Sequence, residues 1–418
     1  MAVRTGDARR GTTTRGRRTA GAVLAVLLLA PACAGPRDST TGITAQEVGA
    51  TLDRRAAAVM GHDTDAYLAA LDPRAASFRA AQRTELHNLA DVPLESWAYE
   101  VEGVSDEAAG RVTAEVELRY RIKGYDTAPV SSSRTVELVR RGEDRTWYIA
   151  ADRAADGAPG QLWQQGDVEV ARGTHSLVLG VGRRAAELRR IAATADRAVP
   201  AVTGSWPEAW AERVVVLVPE SVEDMAGLLG SPVASYRGIA AVTTGEVGGS
   251  GRAPADRVIV NPQAYGMLGD FGQRVVLTHE TTHVATRAYT SAATPVWLSE
   301  GFADLAAYRG ESRTAPEIAP DLAEAVRAGD LPARLPADED FGFGEDTGKL
   351  SRAYEGGWLA CELIVRDWGE EELIAFYKAV GSRSERDGSV EQAMHTVLGT
   401  TPADFTARWR EYLRARLG

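Results

Sequence analysis

Between residues 44 and 152 the spacing of apolar positions changes once, from helical to alternating. Helical periodicity runs over 46–60 and again over 63–71. Four alternating stretches follow, over 96–104, 111–123, 133–140 and 146–151. In the second of these, apolar residues fall on every second position from Val112 to Ile122, the mark of a half-buried antiparallel strand. Residues 142–144 supply a turn before Trp147. Small and polar residues over 154–167 then break the pattern and read as a linker. Beyond it, strand-like runs at 168–172, 176–179, 214–218, 239–243 and 258–261 alternate with helical ones at 183–199 and 222–229. From Met267 onward the chain reads as mostly helical, closing with helices over 371–380, 390–398 and 402–417. The pattern predicts an α+β protein. Helices and an antiparallel sheet occupy 45–153, and a mixed sheet followed by a helical half occupies 168–418.

Composition sharpens this picture at the N-terminus. Arg4, Arg9, Arg10, Arg15, Arg17 and Arg18 precede a short apolar run over 20–30, which ends in Pro31-Ala32-Cys33. The run is too short to cross a bilayer comfortably and reads as an export signal over 1–32. Residues 33–44 suit a flexible tether. Cys33 stands where a lipoprotein signal is cleaved and the new terminus acylated; the alternative is cleavage near Ala34 and release. Loss of 1–32 removes six arginines and Asp7, taking the net charge from −11 to −16. An acidic body does not favour nucleic acid or an anionic membrane face. No later segment is apolar enough to span a membrane, so a lipid on Cys33 would be the sole attachment of an exported protein. Cys361, in a helical pattern, reads as a small core residue.

The chemistry is concentrated in His279-Glu280-Thr281-Thr282-His283. Histidines four apart on a helix, here spanning 269–289, share a face and reach one ion. Glu280 lies to the side of that pair, where it holds and activates a water instead of ligating the metal. A break at 292–295 leads into a second helix, with Pro295 suited to its first turn. There Glu300 and Asp304 share a face. A catalytic zinc usually takes three protein ligands, which His279, His283 and Glu300 supply for one ion per chain. Asp304 is spaced to accept a hydrogen bond from a ligand imidazole. His62, His87, His175 and His395 read as surface or structural residues, and Trp297 as core.

These residues resemble the gluzincin clan of metallopeptidases, which includes thermolysin and the aminopeptidase N group. The matching pieces are His279-Glu280-x-x-His283, Trp297-x-x-Glu300-Gly301-x-x-Asp304 and Tyr354-Glu355-Gly356-Gly357. The resemblance implies a zincin-like domain over 168–418, hydrolysis of peptide or protein substrates, and an oxyanion hydrogen bond from Tyr354. Residues 45–153 resemble, at the level of pattern alone, the cone-shaped nuclear transport factor two-like fold. Two departures matter. No Gly-Ala-Met-Glu-Asn-like segment precedes the site, so exopeptidase activity is not supported. In its place 256–261 reads as an edge strand able to pair with an extended peptide. Thr281 and Thr282 replace the apolar residues common between the histidines. The acidic loop over 338–346 either borders the cleft or is simply solvated. The competing reading is a zincin-fold pseudoenzyme that binds a ligand or partner as a cell-surface lipoprotein.

Overall fold

The computed structural model describes residues 43–107, 110–142, 146–244, 256–342 and 347–418. The export segment, Cys33 and nearly all of the tether lie outside these residues, as do 143–144 of the expected turn and 343–346 of the acidic loop. Helix α1 (Ala45–Met60) opens on a capping box: the Thr44 hydroxyl accepts from the amide of Glu47, whose carboxylate accepts from the amide of Thr44. Helices α2 (Thr64–Ala69) and α3 (Ala76–Leu89) follow, then an antiparallel meander of β1 (Leu94–Glu107), β2 (Arg111–Ile122), β3 (Val130–Arg141) and β4 (Thr146–Ala154). Alternation in β2 sends Val112, Ala114, Val116, Leu118, Tyr120 and Ile122 into the core. Helix α3 was not expected from the apolar pattern, because much of its buried face is polar. Gln82, Glu85 and Asn88 are buried there beside Leu86 and Leu89.

A second sheet of five strands has the order β5-β6-β7-β9-β8. Its strands are β5 (Val168–Arg172), β6 (Ser176–Val181), β7 (Val214–Val218), β8 (Ala241–Thr243) and β9 (Val258–Val260). The β6–β7 and β7–β9 pairs are parallel, and the outer pairs are antiparallel. Helix α4 (Ala185–Ser205) makes the crossover from β6 to β7, and α5 (Val222–Leu229) follows β7. The expected edge strand over 256–261 is corrected here. Val258, Ile259 and Val260 are all buried, with partners on both sides, as a continuous apolar run requires. Three-residue β8 takes the edge instead.

One hydrophobic core runs from Leu52 through Val116 and Leu138 to Leu179, Val215 and Ile259, so it spans both sheets. Residues 154–167 are docked against it. Trp163 packs 5.8 Å from the Trp97 ring and 5.1 Å from Tyr120, and the Asn88 amide donates to the carbonyls of Trp163 and Gly166. Gly42–Gly418 is accordingly a single compact unit.

The rest is helical: α6 (Pro262–Gly266), α7 (Asp270–Thr286), α8 (Val296–Tyr308), α9 (Ala315–Ile318), α10 (Pro320–Arg327), α11 (Thr347–Trp368), α12 (Glu370–Gly381), α13 (Ser389–Thr396) and α14 (Pro402–Leu417). A core of Trp297, Phe302, Trp358, Phe376, Phe405 and Trp409 holds much of this half together. Backbones of α8 and α11 touch at Gly301 and Gly357. A Cβ on Gly301 would lie 2.3 Å from the Gly357 carbonyl oxygen, so no larger residue fits that crossing. Cys361 is buried in the same helical core, its Sγ facing the Leu298 carbonyl.

Candidate metal centre

Helix α7 carries His279 and His283 one turn apart, and α8 packs across it with Glu300 and Asp304 on the facing side. The Nε2 atoms of the two histidines are 3.0 Å apart. Oε2 of Glu300 lies 3.1 Å from Nε2 of His279 and 3.7 Å from Nε2 of His283. Among the described residues this trio is the one group of three side chains arranged to hold a metal ion, its ligand atoms all within 4.8 Å of one another. On the far side of the His279 ring, Nδ1 lies 2.8 Å from Oδ1 of Asp304. With the carboxylate accepting from Nδ1–H there, Nε2 is the ring atom left facing Glu300 and His283.

Electrostatics agree with these distances. Burial works against a charged imidazole at His279, but Asp304 and Glu300 outweigh it and hold its pKa well above the usual value. At Glu300 burial favours the neutral acid, yet His283 and His279 overcome that and pull the carboxyl far below its ordinary range. The site attracts positive charge.

The threonines of α7 have a local explanation. Thr278, Thr282 and Thr286 are buried at four-residue intervals, and each hydroxyl donates to the carbonyl one turn back, at 2.9, 2.8 and 3.0 Å. Thr281 is buried as well, so the residues between the histidines face protein.

Glu280 is buried beside the histidines, and its Oε2 accepts a 2.7 Å hydrogen bond from Thr243 Oγ1 on the edge strand β8. Sequence reasoning missed Thr243, which lies 37 positions from Glu280 and carries no motif. Tyr354 on α11 sets its ring 6.5 Å from that of His279 and packs edge-on against Phe341 at 5.1 Å. Its neighbour Glu355 turns away, and its carboxylate accepts from the amides of Asp321 and Leu322 at the start of α10. Burial is the main influence on Glu355, raising it to about 7. The remaining histidines stand elsewhere: His175 contacts the Glu212 carbonyl, His62 and His87 border a separate hollow, and His395 borders another. A cavity of about 260 Å³ lined by Phe302, Leu305 and Trp358 contains none of the site residues.

No protein-family model and no curated protein matches the chain. Solved structures resemble it loosely. One is a glutamate-to-alanine mutant of an M1 zinc metallopeptidase from Deinococcus radiodurans. It has 15% identity and a TM-score of 0.35, over 78% of this chain and 62% of that one. Another from that organism, a mutant bound to a Tyr-Ser-Ala substrate, has 15% identity and a TM-score of 0.33, over 77% and 61%. A two-domain M1 zinc metallopeptidase mutant bound to L-arginine has 16% identity and a TM-score of 0.34, over 77% and 60%. The chain thus spans about three fifths of their length. At such scores the likeness carries no weight beside the site's own geometry.

Proposed function

We propose that this chain is an exported zinc metallopeptidase of gluzincin type, tethered to the membrane by a lipid on Cys33, with residues 45–153 as an accessory α+β layer resembling the nuclear transport factor two-like fold. The observation that carries the reading is the convergence of His279, His283 and Glu300. Ligands about 2.0–2.1 Å from a tetrahedral zinc lie about 3.3 Å from one another. The separations of 3.0, 3.1 and 3.7 Å bracket that value, so the residues fit the ion. When bound, zinc supplies Lewis acidity that brings a coordinated water toward ionisation at neutral pH and polarises a carbonyl.

This chain's residues do the rest. Asp304 holds the His279 ring in the tautomer that leaves Nε2 for the metal. Glu280 takes the proton of the attacking water and delivers it to the leaving amine. Tyr354 donates to the substrate oxygen as it gains charge. Strand β8, which has no further strand beside it among the described residues and is joined to the site by the Thr243–Glu280 bond, offers backbone groups to an extended peptide.

The test uses purified mature chain and fluorescein-labelled casein. It predicts about one zinc per chain, cleavage lost on chelation and regained with zinc, and a loss of about 10²–10⁴-fold in Glu280→Gln, the range for a removed general base. Zinc bound without cleavage would point to a pseudoenzyme that binds a ligand or partner at the cell surface. A chain that binds no zinc with both histidines intact overturns either reading.

A further inference from the structure

We infer that Thr243 is a positioning residue for Glu280, and that the edge strand β8 thereby helps set the direction of the carboxylate at the site. The inference rests on the peptidase reading above for its consequence, and on the geometry for its substance. Thr243 is buried, and its Oγ1 lies 2.7 Å from Oε2 of Glu280 and 3.1 Å from that residue's carbonyl oxygen. The hydroxyl has one proton, and the shorter, charged acceptor takes it. A β-branched side chain has few rotamers open to it in a strand, so the donor itself is fixed. With Oε2 anchored, rotation of the Glu280 carboxylate is arrested and the direction of Oε1 follows.

Strand β8 is in turn held from several sides. Thr243 is paired with Val258 of β9, and the next residue, Thr244, exchanges two hydrogen bonds with Arg257, each 2.9 Å. The Arg257 guanidinium forms a buried bidentate pair with Asp126, at 2.7 and 2.9 Å, and Asp126 also accepts from the amide of Ile122 in β2. Arg287, just past the end of α7, donates to the Thr244 carbonyl at 2.8 Å and to Asp256 at 2.9 Å. The hydroxyl therefore sits on a short strand clamped between the N-terminal layer and the metal-site helix. Exposed edge strands of three residues are otherwise poorly held. This clamping is what makes a threonine at their end a reliable donor.

Two variants separate positioning from packing. Thr243→Val keeps the shape and strand preference and loses the hydroxyl; Thr243→Ser keeps the hydroxyl and loses a methyl. With fluorescein-labelled casein, Thr243→Val is expected to lower kcat by about 10- to 100-fold, the scale of a misplaced catalytic group, with KM and zinc content unchanged. Thr243→Ser is expected to recover most of that loss. Wild-type kcat in Thr243→Val, or equal impairment in both variants, overturns the inference while cleavage by the wild type leaves the peptidase reading intact. Crystal structures of the variants decide independently of activity. The Glu280 carboxylate should keep its orientation in Thr243→Ser and turn in Thr243→Val. An unmoved carboxylate in Thr243→Val contradicts the inference even if the wild type cleaves nothing.

Discussion

Two of the buried clusters of ionisable side chains in this molecule are built on opposite plans. In the N-terminal layer Asp152 lies between Arg55 and Arg134, 2.5 Å from each guanidinium. Tyr67 and Gln82 also accept from the Arg55 guanidinium, and Gln82 passes a 2.6 Å bond on to Glu85. The two guanidiniums share one carboxylate between them. At α7 and α8 the arrangement is reversed. Two imidazole nitrogens and a carboxylate oxygen, all lone-pair bearers, point at one another across 3.0–3.7 Å. Such a convergence calls for positive charge between the three atoms, a proton or a metal ion. Paired opposites buried together serve architecture; the converging trio is arranged so that it could hold a metal ion. Burial alone does not distinguish the two, but the sign of what faces each group does.

The comparison breaks most readily at Asp152. Asp152→Asn leaves two buried guanidiniums without a counter-charge and should cost about 3–5 kcal/mol in chemical unfolding, with zinc content unchanged. A loss of zinc in that variant would show that the clusters are not independent. Next comes metal dependence. At free zinc one hundred times its dissociation constant the wild type should gain about 2.7 kcal/mol over chelated protein, and His283→Ala should gain none. A smaller effect sharpens the role of Asp304. Asp304→Asn should weaken zinc about 10- to 100-fold in competition titration, because the proton on Nδ1 of His279 loses its charged acceptor.

The last prediction concerns Glu355, which belongs to neither plan: its carboxylate meets two amides and no cation at α10. Burial, only partly offset by those amides, raises it from 4.5 to about 7. Between those values the folded chain retains a proton that the unfolded chain has released. Its contribution to stability is therefore full below pH 4.5 and lost as pH rises through 7. Glu355→Gln should remove that loss, gaining on the wild type by about 1–2 kcal/mol across the window after allowance for solvent screening. Parallel unfolding curves at pH 4.5 and 8 with a constant difference would refute this account of Glu355.

What could be read from the chain depended on whether a feature is local. His279, Glu280 and His283 lie within two turns of one helix, and Glu300 and Asp304 on the next, so periodicity alone brings them near each other. The strands of the first sheet were legible because one face is buried and the apolar residues alternate. Helix α3 was not, since Gln82, Glu85 and Asn88 occupy positions that an apolar stripe normally fills. β9 was misplaced at the edge because three consecutive apolar residues do not reveal how many neighbours they have. Thr243 and the Arg55–Asp152–Arg134 set are joined only by the fold, the latter across 97 positions. Such pairs leave no trace in local spacing.

The central claim is that His279, His283 and Glu300 form a zinc site. The most direct measurement is anomalous diffraction at the zinc edge from crystals of the mature chain grown with stoichiometric zinc. One strong peak is expected about 2.0–2.2 Å from Nε2 of His279, Nε2 of His283 and a Glu300 oxygen. Zinc found elsewhere, or no peak between these three side chains, would contradict it.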